Sequence, residues 1–275
     1  MSQKKKNNFI PILTSEAGAC LTLTNWHEIG VETVAYYFDE LLMKPGFSLL
    51  NTLPDLRSYC GWQGTIVVNA ARLKANSKGQ YSFRSRFDGS IISIREEELL
   101  ALLLKLQPEI VILPQQLAET HVIELSSKIP HIFRVGNEVK SAGRYLVYDK
   151  QIPWSDFMQQ VRNNEGKTSY LAGEFDGLQL DELINEGIEL IESDKPASDA
   201  FAGQVYTEQG TIALLESAMA EQHQVIDEKC TCPTCEQRLT RAYLHHLLMH
   251  TPLLCQRFLI QHNAHYYQHR IQSLL

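Results

Sequence analysis

Three cysteines lie close together near the C-terminal end of the chain, in the segment Cys230-Thr-Cys232-Pro-Thr-Cys235. Zinc prefers soft or borderline ligands in a tetrahedron, and closely spaced thiolates on a tight turn can supply three of them. Clustered thiols without a metal would be prone to oxidation. We therefore interpret the segment as part of a metal site. If protein ligands fill all four positions, the site is structural.

The fourth ligand must come from elsewhere in the chain. The segment after the cysteines is predicted to be helical and is rich in histidine, with candidates at His245, His246, His250, His262, His265 and His269. Spacing alone does not choose among them. We expect the histidines that are not ligands to occupy surface or packing positions on the helix.

The composition is that of a globular protein with a sizeable core. The chain has 275 residues, of which 44% are hydrophobic and 21% charged, and this excludes a disordered chain, a collagen and a small disulfide scaffold. No apolar run approaches the roughly 18 residues of a membrane span. The apolar stretch after the basic start, residues 9–13, is too short for a signal peptide. We expect a cytoplasmic protein, in which clustered cysteines indicate metal rather than disulfides.

The net charge of −7 conceals an uneven distribution. Residues 171–228 contain fourteen acidic residues and one lysine, whereas residues 230–275 contain four arginines and one glutamate. The first segment would repel phosphates, and the second is a candidate surface for a nucleic acid or a protein partner. The alternative is that both are ordinary solvated faces.

Apolar strand-like segments alternate with helix-like segments through the N-terminal two-thirds of the chain. The predicted strands cover residues 64–68, 81–87, 109–113, 144–148 and 169–172, and the predicted helices cover residues 95–106, 154–161 and 178–191. This order is typical of parallel strands with crossover connections, so an open doubly wound sheet and a (β/α) barrel both fit. The lack of a GxGxxG loop or a P-loop disfavours a nucleotide-binding sheet. We place the main boundary around residues 207–229.

The cysteine segment is followed by further short motifs. These are Arg241-Ala-Tyr-Leu-His-His-Leu247, the pair His262-Asn263, and Tyr266-Tyr267. Together with the cysteines they resemble the zinc subdomain of the tRNA-guanine transglycosylases, in which three cysteines and the histidine of the His-Asn pair hold one zinc ion. The resemblance implies one structural Zn²⁺ with His262 as its fourth ligand. This chain has one extra residue between Cys235 and Arg241.

Three more motifs lie upstream. They are Gly61-Trp62-Gln63-Gly64, residues 81–90 followed by a helix and Glu109-Ile-Val-Ile, and residues 187–207, which end in Gly203-Gln-Val-Tyr-Thr207. They resemble landmarks of the same family, whose fold is a (β/α)₈ barrel. Residues 117–169 are not covered, and the family has considerably more residues between these landmarks. The resemblance implies an α/β fold, a reduced or irregular (β/α)₈-like (TIM) barrel over residues 1–207, with a zinc-binding helical subdomain over residues 208–275.

The family exchanges guanine in a tRNA anticodon for a 7-deazaguanine base. One carboxylate attacks the ribose and forms a covalent ribosyl-enzyme, while others handle protons and grip the base. At the matching positions this chain has Asn69-Ala70-Ala71-Arg72 for the family's Asp-Ser-Gly-Gly, Gln115 for the base-gripping aspartate, and Glu192 for the nucleophile. Asparagine and glutamine cannot act as bases, and the carboxylate of Glu192 lies one methylene further out.

The loop after Glu192 departs from the family as well. Where the family has Pro-Thr-Arg-Asn-Ala-Arg, this chain has residues 196–201 (PASDAF), which lack both arginines that would meet tRNA phosphates. The glycine-rich base-recognition segment has no counterpart. Asp39, Asp88 and Glu174 are carboxylates that would be able to substitute, although nothing in the sequence singles them out. The plainest interpretation of Asn69, Gln115 and Glu192 is that they are ordinary polar residues at strand ends.

Structural motifs are kept and chemical ones are lost, a pattern that resembles the non-catalytic subunits of this family. Our first hypothesis is a catalytically degenerate accessory or binding homologue, a pseudoenzyme, linked to queuosine-type tRNA modification. The first alternative is an active tRNA-guanine ribosyltransferase that uses Glu192 as its nucleophile. The second is a zinc-stabilised interaction module unrelated to tRNA.

The resemblance also implies a homodimer, or a heterodimer with a catalytic homologue, formed through the C-terminal subdomain. Aromatic and apolar residues of the kind enriched in interfaces are predicted to be exposed there, at Tyr243, Leu247, Phe258, Tyr266 and Tyr267. We expect tRNA binding to be weakened by the acidic segment, and we expect no membrane partner.

Overall fold

The structure, a computed structural model, describes residues 8–135, 142–163 and 167–273. The chain divides into two compact units. We call Thr33–Ala172 the central unit, and Met1–Glu32 together with Gly173–Leu275 the terminal unit. The sequence-predicted boundary between residues 207 and 208 stays a prediction.

Twelve strands lie in the described residues. They are β1 (Asn8–Ile10), β2 (Thr33–Tyr37), β3 (Thr65–Asn69), β4 (Gln80–Arg84), β5 (Ile91–Arg95), β6 (Ile110–Leu113), β7 (His131–Val135), β8 (Gly143–Val147), β9 (Ser169–Ala172), β10 (Leu190–Glu192), β11 (Gln204–Thr207) and β12 (Gly210–Ala213).

The α-helices of the same residues number twelve, several of them a single turn. They are α1 (Leu23–Glu28), α2 (Phe38–Leu41), α3 (Phe47–Leu50), α4 (Leu56–Cys60), α5 (Glu96–Leu106), α6 (Glu119–Ser126), α7 (Trp154–Arg162), α8 (Gly177–Asn185), α9 (Lys195–Phe201), α10 (Pro233–Glu236), α11 (Arg241–His250) and α12 (Pro252–Ser273). Two 3₁₀ turns (Gly18–Cys20 and Ser217–Glu221) and a π turn (Leu42–Gly46) complete the helical elements.

The central unit contains a parallel sheet with the strand order β9-β8-β7-β6-β3-β2. β2, β6 and β9 are buried along their whole length, as is β3 from Ile66 onward. Continuous burial of Val- and Ile-rich strands is typical of a parallel sheet that is covered on both faces. Helices α5 and α7 lie in connections between these strands, as the sequence predicts, and α6 lies in another connection for which no helix was predicted from the sequence.

The Gly-Trp-Gln-Gly motif anchors the start of β3. Gly61 has a left-handed φ of +78° and ends α4, a position that favours glycine. Trp62 is fully buried and donates its indole N–H to the carbonyl of Thr65. The Arg57 guanidinium bonds the carbonyls of Trp62 and Gly64 and pairs with Glu109. The motif therefore has a structural role that does not depend on catalysis.

The strand predicted over residues 81–87 is β4, which pairs with β5 as an antiparallel hairpin in the β3–β6 connection. It ends earlier than predicted, at Arg84, because the loop to Ser90 closes on itself. Asp88 accepts hydrogen bonds from the backbone N–H and the hydroxyl of Ser90, and Gly89 has a φ of +72°.

β7 and β8 are parallel neighbours in the sheet. β7 ends at Val135 and β8 begins at Gly143. Within the uncovered stretch 117–169, residues 136–141 and 164–166 lie outside the described residues.

The terminal unit pairs β1 with β10 in parallel. α12 is the longest helix of the unit, and its inward side carries large residues. Tyr267 packs edge-on against Phe9 of β1, with 5.5 Å between ring centroids, and Gln268 donates to the carbonyl of Gly30. Arg257 and Gln261 of the same helix bond Asn25 and Glu28 of α1. The last helix thus packs on the first elements of the chain.

The helix predicted over residues 178–191 is wrong in its second half. α8 ends at Asn185, and Leu190–Glu192 form β10. Gly187 adopts a left-handed φ of +77°, and the backbone N–H groups of Gly187 and Ile188 bond back to Ile184 and Leu183. Such a glycine cap stops a helix even where the apolar periodicity continues.

Six parallel strands in the central unit and two in the terminal unit confirm the predicted α/β fold of (β/α)₈ type. The described residues contain eight parallel strands, so the expected reduction of the barrel does not remove a strand. Among the described helices, none has the length and apolar character that a membrane crossing would require.

Candidate metal centre and strand-end residues

A short helix brings the three cysteines together. Pro233 opens α10 at a first-turn position, where its missing N–H costs nothing. Cys232 is the N-cap of this helix, and its sulfur accepts the backbone N–H of Cys235 at 3.3 Å. Thr234 donates its hydroxyl to the carbonyl of Phe258 at 2.7 Å, which ties the turn to α12.

His262 of α12 completes the group. Its Nδ1 lies 3.6, 3.4 and 3.3 Å from the sulfurs of Cys230, Cys232 and Cys235. All four candidate ligand atoms lie within 4.8 Å of one another. A tetrahedral zinc with ordinary Zn–S and Zn–N bonds places nitrogen about 3.6 Å from each sulfur. The three thiols and one imidazole therefore fit a Cys₃His zinc site. Of the six histidines that the sequence left as candidates, the structure selects His262.

The imidazole of His262 is held in the orientation that a ligand needs. Its Nε2 lies 2.7 Å from the carbonyl oxygen of Tyr206, so Nε2 is the protonated nitrogen and the lone pair of Nδ1 faces the sulfurs. Asn263 accepts the backbone N–H of Tyr206 and donates to the carbonyls of Pro196 and Gln204. The His-Asn pair thus joins α12 to β11.

The four candidate ligand groups contact one another, and these contacts shift the pKa values of three of them. Hydrogen bonds from Cys232 and Cys235 lower the pKa of the Cys230 thiol, and the corresponding contacts raise the pKa of the Cys232 thiol. Burial alone would lower the pKa of His262, but hydrogen bonds to Cys230 and Cys235 outweigh it and raise the pKa to about 10. A bound cation would relieve this crowding of ionisable groups, and its binding would release protons.

Asn69 lies at the carboxyl end of β3 and is fully buried. Its Nδ2 donates to the hydroxyl of Tyr145 at 3.1 Å, and its Oδ1 accepts the backbone N–H of Ala71 at 3.0 Å. Nearby, the Arg72 guanidinium lies over the ring of Tyr37, 3.6 Å from its centroid. The amide therefore serves contacts within the protein.

The two other predicted strand-end positions differ in their surroundings. Gln115 follows β6 and is exposed, and its backbone carbonyl accepts a hydrogen bond from Arg134. Glu192 ends β10 and is fully buried. Glu192 belongs to the terminal unit, whereas Asn69 and Gln115 belong to the central unit, and the catalytic roles of all three stay predictions.

The loop after Glu192 contains a network that the sequence did not reveal. Lys195 and the hydroxyl of Tyr206 both donate to Asp199 Oδ2, at 2.7 and 2.6 Å. Burial, followed by its neighbour Tyr267 and by Asp199, raises the pKa of Tyr206 far above its ordinary value. The one signal available was the Lys195–Asp199 spacing of four residues on a helix. Asp199 therefore makes contacts within the protein. It lies in the loop where the tRNA-guanine transglycosylases, which this chain resembles, have arginines.

Of the three possible substitute carboxylates, the structure distinguishes Asp39. It follows β2, is half-buried, and its Oδ1 has no hydrogen-bond partner among the described residues. Burial raises its pKa, and this outweighs the opposing effect of Arg72. Asp88 lies in the β4–β5 turn and Glu174 is exposed.

The four arginines of residues 230–275 are all engaged in internal contacts. Arg238 pairs with Glu228 at 2.7 Å, and Arg270 pairs with Asp181 through two hydrogen bonds. Arg241 and Arg257 bond backbone carbonyls and Asn25, respectively. Ion pairs thus compensate two of the four positive charges of this segment, which weakens only in part its interpretation as a nucleic-acid surface.

The predicted exposure of five apolar residues on the C-terminal helices is only partly right. Tyr243 is exposed and Phe258 and Tyr266 are half-buried, but Leu247 and Tyr267 are buried. Tyr267 faces inward because it packs on Phe9 and stacks with Tyr206. The sequence did not single out Met249, Leu253 and Leu254, which are exposed on α11 and α12.

The chain is similar to several known proteins that share one name. Residues 152–274 match the family model described as queuine tRNA-ribosyltransferase. The chain is 34% identical over 110 residues to a queuine tRNA-ribosyltransferase of Dinoroseobacter shibae, an alignment that covers 40% of this chain and 29% of the relative. It is 23% identical over 321 residues to the enzyme of that name from Nitrosomonas eutropha, covering 97% of this chain and 87% of the relative. A third relative so named, from Methylacidiphilum infernorum, is 20% identical over 97% of this chain and 86% of its own length.

Proposed function

We propose that the chain is a member of the tRNA-guanine transglycosylase family and takes part in queuine-related tRNA modification as an accessory or binding homologue that has lost base exchange. The observation that carries the proposal is the state of Asn69. A neutral, buried amide that bonds Tyr145 and Ala71 occupies the position where the resemblance implies a carboxylate. An amide can neither take up a proton from the substrate nor carry the negative charge.

The surroundings of Glu192 support the same proposal for the tRNA side of the reaction. Asp194 accepts a hydrogen bond from the hydroxyl of Ser15 at 2.6 Å, and Asp199 forms an ion pair with Lys195. The cation of this loop is thus neutralised, and two acidic residues lie where phosphates would approach. Fewer free cations mean weaker, less salt-dependent binding to tRNA.

We assign zinc to the Cys₃His group, one ion per chain, because the donor set and its spacing suit that metal. All four positions come from protein side chains, so the ion is structural. Its ligands come from α12 and from the turn that carries α10, and the bound metal would hold these segments together. When bound, it supplies folding energy rather than chemistry.

We propose that the partner is a second copy of this chain or a catalytic homologue, docked on the exposed face of α11 and α12. Tyr243, Met249 and Leu253 lie there, 48%, 58% and 72% exposed. Exposed aromatic and methionine side chains are enriched in interfaces. We also propose a cytoplasmic location, where the cysteines would stay reduced.

Labelled guanine incorporation into tRNA, with a family enzyme as the positive control, tests the loss of base exchange. Removing preorganised polar groups costs about 3–4 kcal/mol each, so we expect a rate at least 10⁵-fold below the control, to the order of magnitude. Restoring aspartate together at positions 69, 115 and 192 is expected not to rescue the reaction, since the loop arginines are still missing.

Incorporation within a hundredfold of the control that Glu192→Gln abolishes would instead establish the active-enzyme alternative. If the protein neither binds tRNA nor associates with a catalytic homologue, these results would favour the interaction-module alternative.

A further inference from the structure

The four candidate zinc ligands are not equally protected. Cys232, Cys235 and His262 are 0%, 5% and 1% exposed, whereas Cys230 is only half-buried. Cys230 also stands apart in the chain, because it precedes the N-cap of α10 while the other two cysteines belong to that helix or its cap. A reagent that attacks the bound ion would therefore meet the Cys230 sulfur first.

A cavity of about 330 Å³ opens on Cys230. This volume has room for roughly ten water molecules. Besides Cys230, its lining includes Lys229, His265, His269, Arg270 and Ser273. Solvent and small chelators thus have a route to this one ligand.

His265 lies between the cavity and the metal group. It follows His262 by three residues on α12, so both side chains project from the same side of the helix. Its Nδ1 is 3.9 Å from the Cys230 sulfur, within hydrogen-bonding reach for sulfur. The ring of His265 stacks on that of His269, with 6.1 Å between centroids and 19° between planes. His269 lines the same cavity, and no contact between it and the sulfur is described.

We propose that His265 is a positioning residue for zinc, which donates its Nδ1–H to the Cys230 thiolate and thereby controls how fast the ion leaves through the exposed side of the site. An N–H donor stabilises the negative charge on the sulfur and restrains the Cys230 side chain beside the other ligands. Without it, Cys230 dissociates more readily and opens one coordination position to a chelator. The inference rests on the proposed zinc, and it concerns the rate of exchange rather than the identity of the ligands.

Zinc release to the coloured chelator 4-(2-pyridylazo)resorcinol tests the proposal on the full chain loaded with one zinc. Loss of an outer-shell partner typically changes metal affinity 10- to 100-fold, so we expect His265→Leu to release zinc about tenfold faster than the unmodified protein. His265→Asn keeps an N–H close to the position of Nδ1 and should stay within about threefold. His269→Leu is the matched control, and it should stay within about twofold.

Equal release from His265→Leu and the unmodified protein, both fully loaded, would overturn this inference and leave the zinc assignment standing. Fast release from His265→Asn as well, or equally fast release from His269→Leu, would also overturn it, since either result means general loosening of α12. Failure of the unmodified protein to bind zinc would overturn both the inference and the assignment.

Alkylation with N-ethylmaleimide, mapped by mass spectrometry on the zinc-loaded protein, gives a second measure. Cys230 should be the first of the three ligand cysteines to be modified, and His265→Leu should accelerate its modification. Modification of Cys232 or Cys235 before Cys230 would contradict the exposed route.

Discussion

The metal centre and the strand ends of this protein match the family resemblance to very different degrees. At the metal centre, three thiols and one imidazole converge with the spacing of a tetrahedral ion, and the His-Asn pair is fixed by four hydrogen bonds to β11 and its neighbours. At the end of β3, an asparagine occupies the position where the resemblance implies a carboxylate, and it bonds its neighbours. The implied metal ligands are thus present together, whereas an amide stands in place of the carboxylate at residue 69.

The largest expected effect concerns the metal centre. Cys232→Ser should lose the zinc and lower the free energy of unfolding by on the order of 5 kcal/mol, because metal binding and folding are coupled there. For a chain of this size that is a fall in Tm of about 10–20 °C, measured by calorimetry beside metal analysis. Cys20→Ser, at a half-buried cysteine outside the group, is the control and should change neither. A Cys232→Ser protein of unchanged metal content would contradict the assignment.

Asn263→Ala should have the next largest effect. It leaves a backbone N–H and two carbonyls of the Pro196–Tyr206 segment without their partner, at a cost of about 3 kcal/mol. Zinc should still bind, since no ligand is removed. Chemical denaturation together with zinc stoichiometry would measure both effects. A fully stable variant would mean that the His262–Tyr206 hydrogen bond and the surrounding packing hold α12 to β11 without Asn263.

Association is expected to respond to charge on the exposed helical face. Met249→Glu with Leu253→Glu should weaken self-association or binding to a catalytic homologue by at least about tenfold, or 1.4 kcal/mol. Leu178→Glu, at a leucine of α8 that is 79% exposed, is the matched control. Analytical ultracentrifugation would measure it, and a mass that stays monomeric at high micromolar concentration, with no homologue bound, would refute the interface.

Tyr145→Phe should have the smallest effect. It removes the acceptor of the Asn69 amide inside the central unit, with an expected loss of about 1 kcal/mol and no change in zinc. If Asn69 instead served a bound ligand, the variant would alter ligand binding more than stability. Denaturation curves with and without guanine separate these outcomes.

The sequence predicted those features that depend on short-range spacing. The cysteine segment, the (β/α)₈ type of fold and the turn at Asp88 follow from local patterns and from the family motifs, and the structure bears them out. The second half of the predicted 178–191 helix failed because one left-handed glycine outweighs apolar periodicity. The burial of Leu247 and Tyr267 could not be predicted, since it depends on contacts with segments far away in the chain. The Tyr206–Asp199 hydrogen bond was missed because nothing in the sequence around Asp199 indicates which residue it contacts.

The contacts of α12 with β1 and α1 bear on the order in which the protein is made. Phe9, Asn25 and Gly30 leave the ribosome more than 230 residues before their partners Tyr267, Arg257 and Gln268. Contacts between residues so distant in sequence form slowly, because a long loop must close before they contribute. The terminal unit therefore cannot close until α12 has been synthesised, and β1 stays without that cover until then. A chain truncated before α12 would leave β1 without its cover and expose the product to aggregation.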